Sequence, residues 1–269
     1  EIIDEAKRMG IDIKFSYVVI AAKGYKKVTS AEIAKISEDK KDLEQIENIK
    51  CDCICVSGFW TPTIHLASQS GNKTKFNKEI DAFVPNQPKQ EETTVGSANG
   101  IFTLEETLKT SFETGHQLSK KITKNDNKVS VPAVLEKKSS KHDKFWCVPL
   151  PKGKKYKRFL DFQNDVAVTD IELALREGYR SIEHVKRYTT LGMATDQGKT
   201  SNLNGLQLVS NFENKIVPEV GHTTFRPPYT PVTIGAIVGR EVGKHSKPTR
   251  KSPMHLWHEK NNAVFVDAG

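Results

Sequence analysis

A run of charge and serine, "KKITKNDNKVSVPAVLEKKSSKHDK" at residues 120–144, sets the first limit on what this chain can form. The stretch is poor in apolar side chains and cannot bury enough of them to offset the entropy of ordering. One hydrophobic core therefore does not run through it. The chain divides into a body before it and a body after it, with the run itself a linker or a loosely packed excursion. The 269 residues suffice for two or three such bodies. A mean hydropathy of -0.52 agrees with part of the chain serving as linker.

The first body opens on the end of a helix, with Ile2, Ile3, Ala6 and Met9 at helical spacing and Gly10 at the stop. Three β-branched, alternating segments follow: "IDIKFSYVVIAAKG", "KKVTSAEIAKIS" and "ENIKCDCICVSG". The run "CDCICVSGFWTPTIHL" is almost wholly apolar and predicts a strand buried on both faces, as in a parallel α/β sheet. Residues 67–94 are polar and turn-rich. "VGSANGIFTLEETLKTSFETGHQLSKKI" then predicts a strand end, a glycine turn and a helix with Leu104, Leu108, Phe112 and Leu118 on one stripe.

The second body starts near Phe145. "RFLDFQNDV" is extended. "TDIELALREGYRS" predicts a helix capped by Thr169 and ended at Gly178, and "SIEHVKRYTTLG" a second, with Ser181 as cap and Ile182 and Val185 buried. The loop "TTLGMATDQGKTSN" leads into a third helix, "SNLNGLQLVSNFENK". Pro227, Pro228 and Pro231 exclude helix through Thr230, so a new segment begins there. Both ends of the chain read as cut, one inside a helix and the other as a strand-like run begins.

Charge and cysteine content narrow the function classes. The net charge of +8 and pI of about 9.1 suit acidic partners such as phosphates, nucleic acid or an acidic subunit. Yet the excess is mostly lysine in scattered, surface-like runs, which a solvated surface alone explains. Neither a secretory signal nor an apolar run of membrane length is present, and a reducing, cytoplasmic setting fits the four cysteines. Cys51, Cys53 and Cys55 fall on one face of a strand without a second ligand pair, which favours small buried hydrophobes over a zinc site.

Other candidates are read beside their plainer explanations. In "VGSANGIFTLEE", Gly96 and Gly100 would let backbone approach a ligand, and the helix start would offer N–H groups to a pyrophosphate or flavin. Many tight strand–helix turns look the same. Arg226, stiffened by prolines in "TTFRPPYTPV", could bind phosphate or carboxylate, or form an interdomain salt bridge. His65, His184, His222 and His255 lack partners at diagnostic spacing and read as structural.

Taken together, "CICVSGFWTPTIHLASQSG", "GSANGIFTLEETL", "FLDFQNDVAVTDIELALREGYRSIEHVKRYTTLGMATDQGKTSN" and "PEVGHTTFRPPYTPVTIGAIVGR" resemble the α subunit of the heterotetrameric sarcosine oxidase family, in that family's order. The resemblance implies an α/β and α+β multidomain fragment. Residues 1–119 would be the C-terminal part of an FAD/NAD(P)-binding domain of two-dinucleotide-binding type. After the 120–144 linker, residues 145–215 would be the central domain, small, helical and similar to cluster-binding ferredoxin-like (BFD-like) domains. Residues 216–269 would be the truncated start of an aminomethyltransferase-type, folate-binding domain.

The same resemblance implies a cofactor set. NAD would meet Gly96, Ser97, Ala98, Gly100, Phe102 and Leu104. Aligned with the two-iron ferredoxin pattern, the four ligand positions fall on Asp161, Gln163, Asp196 and Ser201. These residues lack the thiolates an iron–sulfur cluster needs, so no cluster and no other metal is expected. The loop would instead serve an FMN at the interface with the β subunit, with Lys199, Thr200, Ser201 and Arg226 near its phosphate. Tetrahydrofolate would bind in the missing C-terminal part. The implied assembly oxidises sarcosine and passes its one-carbon unit to tetrahydrofolate, with β, γ and δ subunits as partners and neither nucleic acid nor membrane involved. This chain would be a non-catalytic fragment of one subunit. The alternatives are a subunit of a related FAD/NAD-dependent amine or amino-acid dehydrogenase and, from another class, a basic nucleic-acid-binding module.

Overall fold

The computed structural model describes residues 2–58, 60–124, 126, 130–134, 145–225, 229–246 and 250–266. The chain forms two compact units, Glu1–Tyr229 and Thr230–Gly269.

The first unit begins with helix α1 (Ile2–Arg8) and an antiparallel meander of β1 (Tyr17–Gly24), β2 (Val28–Ile36) and β3 (Leu43–Lys50), in the order β1-β2-β3. Val19 pairs with Ile33, and Ala31 with Ile49. Central β2 is buried from Ser30 to Ala34. Its one buried charge, Glu32, is met by Lys23 Nζ at 2.5 Å and by the Tyr156 hydroxyl at 2.6 Å, which ties the sheet to the segment before the helical core.

Two of the three expected strands form in place; the third, expected over 47–58, lies instead at Leu43–Lys50, and the sheet is antiparallel rather than parallel, with the cysteine-rich run outside it. Residues 51–58 are irregular, with Cys53, Cys55 and Val56 exposed. The last rung of the ladder is Cys51 N–H to Thr29 O, at 3.3 Å, and β2 starts one residue before Thr29. The run therefore passes the end of the strand that could have paired it. Apolar composition alone does not make a strand when no neighbour supplies hydrogen bonds.

Helix α2 (His65–Gln69) leads to a hairpin, β4 (Lys73–Asn77) and β5 (Ala82–Gln87), in the polar region where no strand was expected. A short 3-10 turn at Gly96–Asn99 precedes α3 (Leu104–Thr123), which continues past the expected start of the linker at residue 120. The α3 stripe is only half-buried at Leu108 and Phe112, and exposed at Leu104 and Leu118.

The densest packing lies in the second half of this unit. A small hairpin, β6 (Phe159–Asp161) with β7 (Val166–Ala167), feeds α4 (Val168–Arg176), α5 (Ile182–Thr189), α6 (Asn202–Glu213) and α7 (Val217–Val220). Helix α4 starts one residue before Thr169, because the Asp170 carboxylate accepts the Ala167 N–H at 2.7 Å and fixes the first turn there. Ile171, Ala174, Ile182, Val185, Leu191, Leu206, Val209 and Val217 form its core, and Phe76 and Phe83 of the β4–β5 hairpin pack onto it. Each Val, Leu or Ile among them contributes about 1.5–3 kcal/mol on burial.

The second unit holds α8 (Ile234–Val238), a 3-10 turn at Gly243–Ser246 and α9 (His255–Lys260). Thr233 caps α8 by accepting the Ala236 N–H at 3.2 Å. Neither helix buries a residue.

Candidate functional site

The loop between α5 and α6 is a tight wrap with a left-handed backbone at Thr190, Gly192, Gln197 and Gly198. Asp161 at the end of β6 organises it from below. Its Oδ1 accepts the N–H groups of Gln163 (2.9 Å) and Asn164 (3.1 Å), and its Oδ2 accepts that of Gly192 (2.8 Å). Gln163 Oε1 accepts the Thr195 hydroxyl at 2.8 Å, and Asn164 Nδ2 donates to Thr190 O at 2.9 Å. Gly192 and Gly198 cannot be replaced freely: a Cβ on either would fall 2.1 and 2.3 Å from the Asn202 side chain.

Asp161 and Gln163 thus bond, at Gly192 and Thr195, to the loop that carries Asp196 and Ser201, the four positions the resemblance aligned with cluster ligands. Their chemistry is that of a scaffold. Asp196 Oδ1 accepts Gly198 N–H at 3.1 Å, and its Oδ2 accepts the Thr200 hydroxyl at 2.8 Å. Ser201 is fully buried, with an Oγ that has no hydrogen-bond partner among the described residues. Iron–sulfur clusters take thiolate or imidazole ligands, and this donor set offers neither. Of the three described residues expected near a phosphate, two do not fit it: the Thr200 hydroxyl is engaged by Asp196, and Ser201 is enclosed. Arg226 lies outside the described residues. Lys199 fits.

Two clefts adjoin at Phe225 and Tyr229, and Lys199 lines the smaller of them. The larger, about 230 Å³, is lined by Glu183, Lys186 and Arg187 of α5, by Gly192, Met193 and Gln197 of the loop, and by Thr224, Phe225 and Tyr229. The smaller, about 60 Å³, lies among Pro62, Ile64, Phe83, Lys199, Leu206 and His222. Phe225 and Tyr229 line both. Glu183 holds the far wall by accepting Thr224 N–H at 2.6 Å and pairing with Arg187 at 3.0 Å. Lys199 Nζ sits 4.1 Å from the centroid of the Tyr229 ring and donates to Tyr229 O at 3.0 Å. His65 stacks on that ring at 4.3 Å, and Phe225 meets it edge-on at 5.0 Å. Burial, and then the Lys199 charge, push the His65 imidazole below its usual pKa, so the stack is neutral. Burial, with Asp196 adding to it, pushes the Tyr229 phenol up. Sequence reasoning missed Tyr229, Phe225 and Met193. Phe225 and Tyr229 had one signal, aromatic residues flanking Arg226 and the paired prolines; Met193 had only its place in the loop.

The Gly96–Leu104 turn forms, but its glycines serve the protein. A Cβ on Gly100 (φ +80) would meet Ile80 Cδ1 at 2.7 Å and Val84 Cγ1 at 3.0 Å; one on Gly96 would meet Thr107 Cγ2 at 3.0 Å. Both positions permit close packing rather than ligand approach. Glu105 and Glu106 occupy the first turn of α3, where they complement the helix dipole and oppose an anion. The ligand-accessible parts are Ser97, Phe102 and Leu104, all exposed, while Ala98 is half-buried.

Among the described residues, no group of three or more His, Cys, Asp or Glu is arranged to hold a metal ion, and no helix is long and apolar enough to cross a membrane. His222 Nδ1 lies 3.0 Å from Thr223 O, and the His255 ring packs at a tilt against Phe265, 4.6 Å between centroids.

Comparison with known proteins fits this geometry. Residues 155–240, which hold the loop and most of both clefts, match the sarcosine oxidase A3 domain family. The whole chain is similar to sarcosine oxidase subunit alpha of Rhizobium meliloti (strain 1021), 37% identical over 280 residues and 27% of that protein. Similarity to the same subunit of Corynebacterium sp. (strain P-1) is 33% over 88% of this chain and 25% of that one. The chain spans about a quarter of the length of these curated relatives. It is a homologue of sarcosine oxidase alpha subunits, which are oxidoreductases on CH–NH donors. A solved structure, L-proline dehydrogenase from P. horikoshii, is similar in fold with a TM-score of 0.50 and 21% identity, over 89% of this chain and 48% of that one. The fold is mixed α/β in both.

Proposed function

We propose that this chain is the middle portion of the alpha subunit of a sarcosine-oxidising complex, and that its A3-type unit braces an FMN at the boundary with the β subunit. The observation that carries this reading is the exposed Lys199, on the loop of the domain that matches the sarcosine oxidase A3 family and next to Phe225 and Tyr229, which line both clefts. The Lys199 ammonium binds the FMN phosphate. Met193, Phe225 and Tyr229 offer an apolar wall to the rest of the ligand. An FMN held there would supply an electron-accepting ring, and the part of this chain would be to hold its phosphate through Lys199. The residues of this chain bind and orient; none of them handles the substrate.

Ser97, Phe102 and Leu104 border the NAD site in this reading, with Gly96 and Gly100 holding the turn in shape. Tetrahydrofolate is bound by the domain that begins in the second unit. The β, γ and δ subunits are the partners. A subunit of a related amine or amino-acid dehydrogenase has the same requirements of this chain, since the substrate is selected elsewhere. The nucleic-acid module is disfavoured, because Arg187 is engaged by Glu183 and Lys199 by Tyr229, and no basic stripe with interleaved aromatics is built at the clefts among the described residues.

The test is anaerobic reduction of the assembled complex. Sarcosine should bleach its flavin rapidly, and proline should not. Rapid bleaching by another amine with no response to sarcosine would assign the chain to the dehydrogenase alternative.

A further inference from the structure

The rim of the cleft contains an arrangement that neither the charge pattern nor the family match assigns. We infer that Tyr229 is a positioning residue: its ring and carbonyl hold the Lys199 ammonium in a fixed pose so that it selects a phosphate-bearing ligand. This inference rests on the reading of Lys199 as the FMN phosphate contact.

Three observations support it. Lys199 is exposed, and an exposed lysine ordinarily samples many rotamers. Here its Nζ is fixed twice by one residue, over the ring at 4.1 Å and on the carbonyl at 3.0 Å. The residue that fixes it is itself packed in place: Tyr229 is 9% exposed, stacked by His65 on the ring at 4.3 Å and abutted by Phe225. An ammonium has three N–H donors. The carbonyl takes one and the ring face attracts another, which leaves one for an anion. A cation held this way loses little freedom when the anion arrives, the general advantage of preorganisation. The phenol hydroxyl takes no part in either contact, so the inference assigns the work to the ring face and backbone.

The measurement is reconstitution of the flavin-free assembled complex with FMN and, separately, with riboflavin, which lacks the phosphate. The readout is the ratio of their half-saturating concentrations. The variants are Lys199→Met, Tyr229→Phe, Tyr229→Met and the double Lys199→Met/Tyr229→Met. Tyr229→Phe keeps the ring and should leave the preference for FMN unchanged. Tyr229→Met keeps bulk and apolarity but removes the π face; it should reduce the preference about two- to fivefold, the scale of a cation–π contact at an exposed site. Combined with Lys199→Met it should cost nothing further. If Lys199→Met leaves the preference intact, the phosphate reading fails and this inference with it. If Lys199→Met lowers it and Tyr229→Met does not, the phosphate reading stands and the positioning role fails. The role also fails if Tyr229→Phe is as damaging as Tyr229→Met, or if the tyrosine loss adds in full on the Lys199→Met background. Should Tyr229→Met not fold, Tyr229→Leu and Tyr229→His give the same contrast: the non-aromatic side chain should lose the preference and the aromatic one retain more of it, and equal losses in the two would overturn the role.

Discussion

Asp161 is 2% exposed and satisfies three backbone N–H groups with two oxygens. Replacing it with alanine strands those donors in the interior, at a cost of about 3 kcal/mol or more. Asp161→Asn should do almost as badly, because an amide nitrogen would face an N–H. Both are checked by chemical denaturation of the assembled subunit, and a loss below about 1 kcal/mol for Asp161→Ala would contradict the scaffold role. Glu32 gives a prediction in pH. The Lys23 contact first, and the Tyr156 hydroxyl next, lower its pKa from 4.5 to about 2. A depressed carboxylate stabilises the fold fully above its unfolded pKa, and loses that contribution as pH falls toward the folded value. The melting-temperature gap between the parent protein and Glu32→Gln should therefore be constant above pH 5, and narrow between pH 4.5 and 2. A gap that widens on acidification would show the Lys23 and Tyr156 contacts to be unimportant.

Helix α6 reaches its place because it carries a glycine where it crosses the loop. A Cβ on Gly205 would stand 2.4 Å from Leu191 Cδ2, and Leu191 is fully buried. Gly205→Ala should destabilise the subunit by about 1–3 kcal/mol through overpacking, despite the better helix propensity of alanine. A stabilised variant in a thermal melt would contradict this packing. Gly100→Val is likewise expected to damage the fold through Ile80 rather than to report on a ligand. Phe102→Ala, at an exposed ring, should lower bound NAD while the melting temperature holds; unchanged NAD content would remove this turn from the site.

These elements show what the sequence carried and what it did not. The helices at α4, α5 and α6 were legible because their apolar spacing and flanking Ser181 and Gly178 are local signals. The β4–β5 hairpin was not. β4 buries little beyond Phe76, and Pro85 sits inside β5, so neither strand shows clean alternation. The cysteine run failed in the opposite direction, since burial depends on a partner strand and not on composition. At the site, the convergence of Asp161, Gln163, Asp196 and Ser201 was visible through the resemblance. Tyr229 was not visible, because its weight comes from His65, 164 positions away, and from Lys199, 30 away.

At the scale of the molecule, exposure is the dominant fact. Ile234, Ile237, Leu256, Trp257 and Val266 are all more than half exposed. Surfaces of this kind seek cover. The isolated 269-residue chain should bind a hydrophobic dye and sediment as associated species. A monodisperse monomer with a sharp melt and no dye binding would contradict that expectation.

The central claim is that the loop over Asp161 presents Lys199 to the phosphate of FMN. It is tested most directly in the assembled complex carrying Lys199→Glu, by stopped-flow reduction with sarcosine without oxygen. Reduction of FAD should keep its rate, while FMN content falls or transfer of electrons to FMN slows by at least about tenfold, as for a charge-assisted contact replaced by repulsion. Full FMN content with transfer at the parent rate would show the loop to be scaffold alone.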